Sequence, residues 1–347
     1  MNNNEGLEKL IDGFSSGNGL VTGICRFSPE CLNKGFYDHE TFFISGNEKK
    51  RGCFDTGTAN LEMAEARSVI VMGWPAFGPL PPDMPDNIIK PEKPAGKTQP
   101  NHFRGVISLG ADETDYHMVL RLWLERLMET LGKRACFKYR IFVDQNPFSE
   151  RSAALKAGLG FIGKNTSLIL PGKGSFFYLG TAVTDLRLKP NDIYSGAGCG
   201  DCRLCVEACP GKALWDGRVF CDYKRCVSYL TQKKGCLSKE EMKIMGTRIY
   251  GCDACLKACP HHKPWPGETK GFDLEEILSM TKSGFRRGLK NTAAGWRGLS
   301  LLKRNALIAL CNSGGPGAGE LIRTKLNDKN EMIRKTAEKA LEILERR

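Results

Sequence analysis

Four cysteines stand in a fixed rhythm in the middle of this chain: Cys199, Cys202, Cys205 and Cys209, with Pro210 directly after the last. In a C-x2-C-x2-C-x3-C-P run three close thiolates hold one iron-sulfur cluster while the fourth reaches another. Zinc takes two separated C-x2-C pairs instead, so the spacing argues against it. A second set, Cys252, Cys255 and Cys259 before Pro260, repeats the pattern without its first member, because Ile249 stands where that cysteine would fall. Two 4Fe-4S clusters therefore lack one thiolate, and Cys221, Cys226 and Cys236 are all available between the sets. Spacing does not choose among them. The crossing rule groups Cys199, Cys202, Cys205 and Cys259 on one cluster, and Cys209, Cys252, Cys255 and the extra donor on the other. The scattered Cys25, Cys31, Cys53, Cys136 and Cys311 read as ordinary buried residues.

The 347 residues include 15 cysteines, but the polar start lacks the apolar stretch of a secretory signal. No segment approaches the roughly 18 apolar residues that span a bilayer. The expectation is a cytoplasmic monomer, away from membranes, whose thiols serve metals or pack in a reducing compartment. A ferredoxin needs little more than the cysteine segment itself. The long flanks on both sides of it imply a catalytic site that consumes the electrons. The net charge of +12 is uneven, since residues 282–347 carry 15 Lys+Arg against 6 Asp+Glu, which suits a polyanion such as nucleic acid.

Before the cysteines the pattern is α+β. Arg67 to Trp74 is a β-branched apolar run, the mark of a buried strand. Residues 75–100 hold eight of the 17 prolines and predict an extended loop or lid. Met118, Leu122, Leu127 and Leu131 predict a helix from Thr114 that stops at Gly132, with His117 as a packing residue on it. Tyr139 to Val143 reads as a strand ending at Asp144, and Ser149 as the cap of a short helix closing at Gly158. Thr166 to Leu170 and Ser175 to Val183 are expected to pair across Pro171 to Gly174. Gly158 to Asn165 is glycine-rich but not a Walker sequence, so its glycines shape a turn rather than cradle phosphate. After the cysteines, Leu301 to Leu310, Glu320 to Leu326 and Glu331 to Leu344 predict three amphipathic helices of helical-repeat type. The expected domains are 1–190 (α+β), 191–265 (ferredoxin-like, two clusters) and 266–347 (basic, helical, HEAT-like).

Over roughly residues 45 to 345 the chain resembles the cobalamin-dependent epoxyqueuosine reductases, which act on tRNA. The resemblance is carried by Asp115-Tyr116-His117, Val143-Asp144 with Glu150-Arg151, Ala157 to Asn165, Gly174-Ser175 before Tyr178-Leu179-Gly180, and Arg225 to Thr231. Arg248 to Asp253, Trp296-Arg297-Gly298 and Arg304-Asn305-Ala306 continue it. It implies Cys226 as the eighth thiolate and a cobalamin held by the N-terminal α/β domain and the ferredoxin-like module. The matching segments imply cofactor contacts at Arg51, Asp144, Leu168, Leu179, Ser228 and Asp253, with Ser108 and Ala182 in less similar stretches. Turning the epoxide into an alkene takes two electrons and loses the oxygen as water, so a proton donor is required. Asp144, at the end of an apolar strand whose surroundings would keep it protonated, is the expected donor. In the basic C-terminal region the resemblance implies that Trp296, Arg297, Lys303 and Arg304 meet the anticodon loop of tRNA. An external low-potential donor must supply the electrons. The chain departs from the family's pattern at Leu109 to Thr114 and at His261-His262. Two other readings stay open at this point: a cobalamin and iron-sulfur reductase of a small molecule, like the reductive dehalogenases, and a non-catalytic electron carrier.

Overall fold

A computed structural model describes residues 5–28, 63–85, 103–144, 146–215, 222–262, 267 and 271–346. Arg51, Cys31, Cys53, Cys221 and most of the proline-rich stretch lie outside the described residues. The strands are β1 (Val21–Arg26), β2 (Ser68–Pro75), β3 (Arg104–Ile107), β4 (Tyr139–Phe142), β5 (Phe161–Ile162), β6 (Leu168–Ile169), β7 (Phe177–Thr184), β8 (Arg248–Tyr250) and β9 (Gly271–Asp273). The chain forms two compact units, one of residues 1–84, 116–202 and 217–220, the other of residues 85–115, 203–216 and 221–347. Cys199 and Cys202 thus belong to the first unit, and the remaining described cysteines of the two sets to the second. Among the described residues no helix is long and apolar enough to cross a membrane.

The first unit is built on an antiparallel sheet of order β1-β2-β7-β4. β2 reads as an unbroken apolar run because it is central and covered on both faces. Val69 and Val71 pack with Ala153, Ala154 and Ala157 around the short Glu150–Lys156 helix. On the other face Ile70 and Met72 pair with Ala182 and Gly180 of β7. A Cβ on Gly180 would sit 3.0 Å from Leu124 and 3.4 Å from Leu120, which marks this as the face under the Tyr116–Gly132 helix. That helix buries Val119, Leu120, Trp123, Leu124, Leu127, Met128 and Leu131 at helical spacing. Just beyond β2, the Pro79 carbonyl accepts hydrogen bonds from the indole nitrogens of Trp74 (3.0 Å) and Trp123 (3.1 Å).

The expected pairing across Pro171 to Gly174 does not form. β7 pairs with β2 and β4, while β6 pairs with β5, and only the single bridge Leu170–Gly174 closes the turn. The glycine-rich segment takes the place beside β6: a Cβ on Gly160 would lie 2.0 Å from the Ile169 carbonyl oxygen, an approach open only to glycine.

In the second unit β3 joins β8 in parallel and β9 antiparallel. The three expected C-terminal helices form at Leu299–Ser313, Ala318–Arg323 and Glu331–Leu344 and pack on one another. The first of them is buried almost all round, from Leu301 to Cys311, because it also packs on β3 and β8. Cys25 and Cys311 are buried as expected, but Cys136 is exposed, since it lies in the loop between the Tyr116–Gly132 helix and β4.

Candidate active site

The chain leaves β4 at Phe142 and turns back through Asp144 toward the Glu150–Lys156 helix. Asp144 adopts φ +61°, the left-handed region that a residue with a side chain enters at a cost of roughly 1–2 kcal/mol. Three groups hold it there. The Tyr116 hydroxyl donates to Asp144 Oδ2, His117 Nε2 lies 2.9 Å from the same oxygen, and the Asp144 N–H donates to Glu150 Oε1 at 3.0 Å. Tyr116 and His117 are neighbours on the first turn of the Tyr116–Gly132 helix, which is what lets both reach one carboxylate. Their rings stack at 4.2 Å, and Tyr116 lies nearly parallel to Tyr178 of β7 at 4.1 Å. Tyr178 in turn stacks on Trp74 of β2 at 5.8 Å, so the sheet fixes the aromatic column and the column fixes Tyr116.

Asp144 was expected in an apolar setting that keeps it protonated, and the structure corrects this. Burial pushes its carboxyl up, but the hydrogen bond and charge of His117, the Tyr116 hydroxyl and the Arg151 charge outweigh it, and the net direction is down. The carboxyl held protonated is Glu150, pushed up to about 8 by burial and then by the negative charge of Asp144. The site therefore couples an ionised Asp144 beside a histidine to a neutral Glu150 behind it. His117 is a partner of the Asp144 carboxylate and not the packing residue its helix position suggested, with over a third of its side chain exposed.

The second unit gathers thiols. Cys205 and Cys209 are buried with Ala213 and Leu214, and Cys226 and Cys255 pack against them. Burial pushes the Cys255 thiol far up, reinforced by Cys252, Cys226, Cys209 and Cys205 in that order, so five sulfurs share one neighbourhood. They are neighbours and not a closed cage: among the described residues no three candidate ligands converge on a single ion. The helices Leu204–Glu207 and Ala254–Lys257, each opening between two cysteines of its set, pack on one another and bring the sets together. Cys236 is turned elsewhere, its Sγ 3.9 Å from the Met332 carbonyl oxygen. In the first unit the Lys164 N–H, within the β5–β6 turn, donates to Cys199 Sγ at 3.4 Å.

Residues 58–145 match the family model described as Epoxyqueuosine reductase QueG, DUF1730, and residues 198–262 match the 4Fe-4S double cluster binding domain. A relative from Lactococcus garvieae named epoxyqueuosine reductase is 34% identical over 300 residues, covering 82% of this chain and 80% of its own length. The chain belongs to the epoxyqueuosine reductase family. The solved epoxyqueuosine reductase of Streptococcus thermophilus matches with a TM-score of 0.76 at 28% identity, over 100% of this chain and 91% of the other. An epoxyqueuosine reductase solved with an epoxyqueuosine-modified tRNA stem loop shares the fold, with a TM-score of 0.78 at 24% identity over 99% and 91% of the two chains.

The other residues singled out in this reductase fall into three groups. Ser108, Ser228 and Asp253 belong to the second unit and are linked by short contacts. The Asp253 carboxylate accepts the Leu109 N–H at 2.7 Å, and a Cβ on Gly251 would lie 2.2 Å from Ser108 Oγ. The Gly251 N–H meets the Thr231 hydroxyl at 2.9 Å, and that hydroxyl donates to the Ser228 carbonyl at 2.8 Å. Leu168, Leu179 and Ala182 belong to the first unit. Ala182 is fully buried under the Tyr116–Gly132 helix, Leu168 lies in the core with Cys25, and Leu179 is half-buried.

The basic residues divide as well. Trp296 is 45% exposed, pinned by its indole N–H to Tyr250 Oη (2.9 Å) and Gln232 Oε1 (3.2 Å), with the Arg297 guanidinium 3.9 Å over its ring. Lys303 is half-buried. Arg304 is not a surface cation: it is 0% exposed and donates to the carbonyls of Lys233 (2.6 Å), Gly235 (2.9 Å), Leu230 (3.0 Å) and Thr231 (3.3 Å). Its neighbour Asn305 donates to the Thr231 and Ile249 carbonyls. Together they tie the helix after Cys226 and the strand before Cys252 to the C-terminal helices. Tyr178, Trp74 and Glu150 have no site role in the sequence reading; Glu150 and Tyr178 stand in motifs that carry the resemblance, whereas Trp74 shows only as the end of an apolar strand.

Proposed function

We propose that this reductase removes the epoxide oxygen of epoxyqueuosine at the wobble position of tRNA, giving queuosine, with cobalamin and two 4Fe-4S clusters. The observation that supports it most is the Asp144 carboxylate held by Tyr116 and His117 in a chain that also carries the double-cluster domain. The balance is one epoxide, two electrons and two protons in, one alkene and one water out. When bound, cobalamin would supply a low-potential cobalt centre and the clusters would supply single electrons that originate from an external donor.

The residues present fit these groups. The thiols of Cys205, Cys209, Cys226 and Cys252 all neighbour that of Cys255, and Cys236 is turned toward a carbonyl, which favours Cys226 over Cys236 as the eighth ligand. By the crossing rule of the two cysteine runs, Cys199, Cys202, Cys205 and Cys259 serve one cluster, and Cys209, Cys226, Cys252 and Cys255 the other. In the second unit the hydroxyls of Ser108 and Ser228 and the carboxyl of Asp253 offer the polar contacts a corrinoid uses. Asp144 sits among hydrogen-bonding side chains and aromatic rings rather than in the core, as a group that meets substrate must.

One of the two protons leaves from the Asp144–His117 pair, and the second comes from solvent. Tyr116 fixes the carboxylate's orientation through its hydroxyl, and the proton that travels to the epoxide oxygen lies between Asp144 Oδ2 and His117 Nε2. This geometry replaces a lone protonated aspartate with an acid whose proton is shared. Trp296 offers a pinned aromatic face and Arg297 a cation on it, the pair that stacks a base and meets a phosphate of the anticodon loop, with Lys303 as a further cation of the basic region. The three C-terminal helices act as a HEAT-like support for that surface.

Anaerobically purified protein given cobalamin and a chemical reductant converts epoxyqueuosine in tRNA to queuosine, read in the digested nucleosides. Absence of conversion from protein with both clusters and cobalamin loaded would overturn the proposal. In the same preparation Cys226→Ser lowers bound iron from about eight atoms toward about four, while Cys236→Ser leaves it unchanged.

A further inference from the structure

Glu150 is a buried titratable group that the scheme above leaves without a role. It opens the Glu150–Lys156 helix, whose cap is made by Ser149, so its carboxyl is not needed to satisfy the helix end. It turns back instead, and Oε1 accepts the Asp144 N–H at 3.0 Å. That N–H belongs to a residue at φ +61°, a backbone state that reverts unless a contact fixes it. We propose that Glu150 is the positioning residue of the acid, locking the Asp144 backbone in its left-handed turn so that the carboxylate meets Tyr116 and His117. The inference rests on the reading of Asp144 as the acid.

The protonation state of Glu150 suits this task. As a neutral carboxyl it still accepts through its carbonyl oxygen while adding no negative charge beside Asp144. Above about pH 8 it ionises, and two carboxylates then oppose each other across the turn. The other charged or titratable groups around them are His117, Tyr116 and Arg151, and the strands packed on the helix add Cys25 and Arg26 of β1 and Tyr178 of β7. Repulsion in the ionised state loosens the latch, so the lock holds at neutral pH and weakens in alkali.

The test compares Glu150→Gln and Glu150→Ala in the cobalamin-loaded, two-cluster enzyme with epoxyqueuosine tRNA. Gln keeps an acceptor oxygen that cannot ionise, so kcat at pH 7 stays within about twofold of the parent and the decline above pH 8 disappears. Ala removes the acceptor, so kcat falls by about tenfold or more with KM for tRNA unchanged and iron retained, because a misplaced acid loses rate and not binding. Amide hydrogen exchange at Asp144 quickens in Ala and not in Gln. Parent-like kcat in Ala, equal losses in both variants, or an unaltered alkaline decline in Gln each overturns the proposal. Should Ala fail to fold, the pH profile of Gln decides alone. Asp144→Ala runs alongside: full activity there removes the acid assignment itself, whereas an inactive Asp144→Ala beside a fully active Glu150→Ala removes only the latch.

Discussion

Asp144 in the first unit and Arg304 in the second are both charged, both quoted in ordered motifs, and held in opposite ways. Arg304 is fully buried and its guanidinium is bonded to four backbone carbonyls, partners that neither titrate nor move. Asp144 is partly open and its partners are a histidine, a tyrosine and a second carboxyl, each able to change protonation. Burial lowers the Arg304 pKa to about 10, which leaves it charged at neutral pH and fixed in one role. The environment of Asp144 instead sets one group's proton against another's. A charge bonded to carbonyls belongs to the fold; a charge bonded to titratable side chains is available for chemistry.

The sharpest way to break this contrast is Arg304→Met. Leaving buried carbonyls without donors costs on the order of 3 kcal/mol, read as a lower denaturation midpoint, while tRNA affinity measured on the folded protein stays at the parent value. A variant of parent stability with weakened tRNA binding would return Arg304 to the surface role. Arg297→Ala is the opposite case, with unchanged stability, tRNA binding weaker by a few-fold and a salt dependence shallower by about 1 in log-log slope.

What the sequence made legible follows from range. The cysteine runs are local, so spacing was enough to find them. β2 was legible because burial on both faces leaves one continuous apolar run. The partner of β7 was not, because the Pro171 to Gly174 turn looks like a hairpin while the pairing runs to β2, more than a hundred residues away in the chain. Arg304 was misplaced for the same reason, since the carbonyls it satisfies lie 69 to 74 residues earlier. The setting of Asp144 was misjudged because Tyr116, which bonds it, stands 28 residues before it, and the apolar residues of β4 gave no hint of it.

A smaller effect sharpens the carboxyl pair. Glu150 holds a proton in the folded state that the unfolded chain releases above its ordinary value of 4.5, so its contribution to stability declines as pH rises from about 4.5 to about 8 and then levels off. Asp144, shifted down, contributes stability that is present above its ordinary value of 3.8 and lost as pH falls through its folded value. Unfolding of Glu150→Gln followed from pH 5 to 8 shows a flatter profile than the parent. An identical slope would mean that Glu150 is ionised at neutral pH.

The central claim, that the Asp144–His117 pair delivers a proton to the epoxide oxygen, is tested most directly by single-turnover conversion of epoxyqueuosine tRNA by Asp144→Ala, with iron and cobalamin counted in the same sample. Conversion falling by about 10²- to 10⁴-fold with both cofactors fully loaded is the predicted result. Parent-rate conversion at full loading would contradict it.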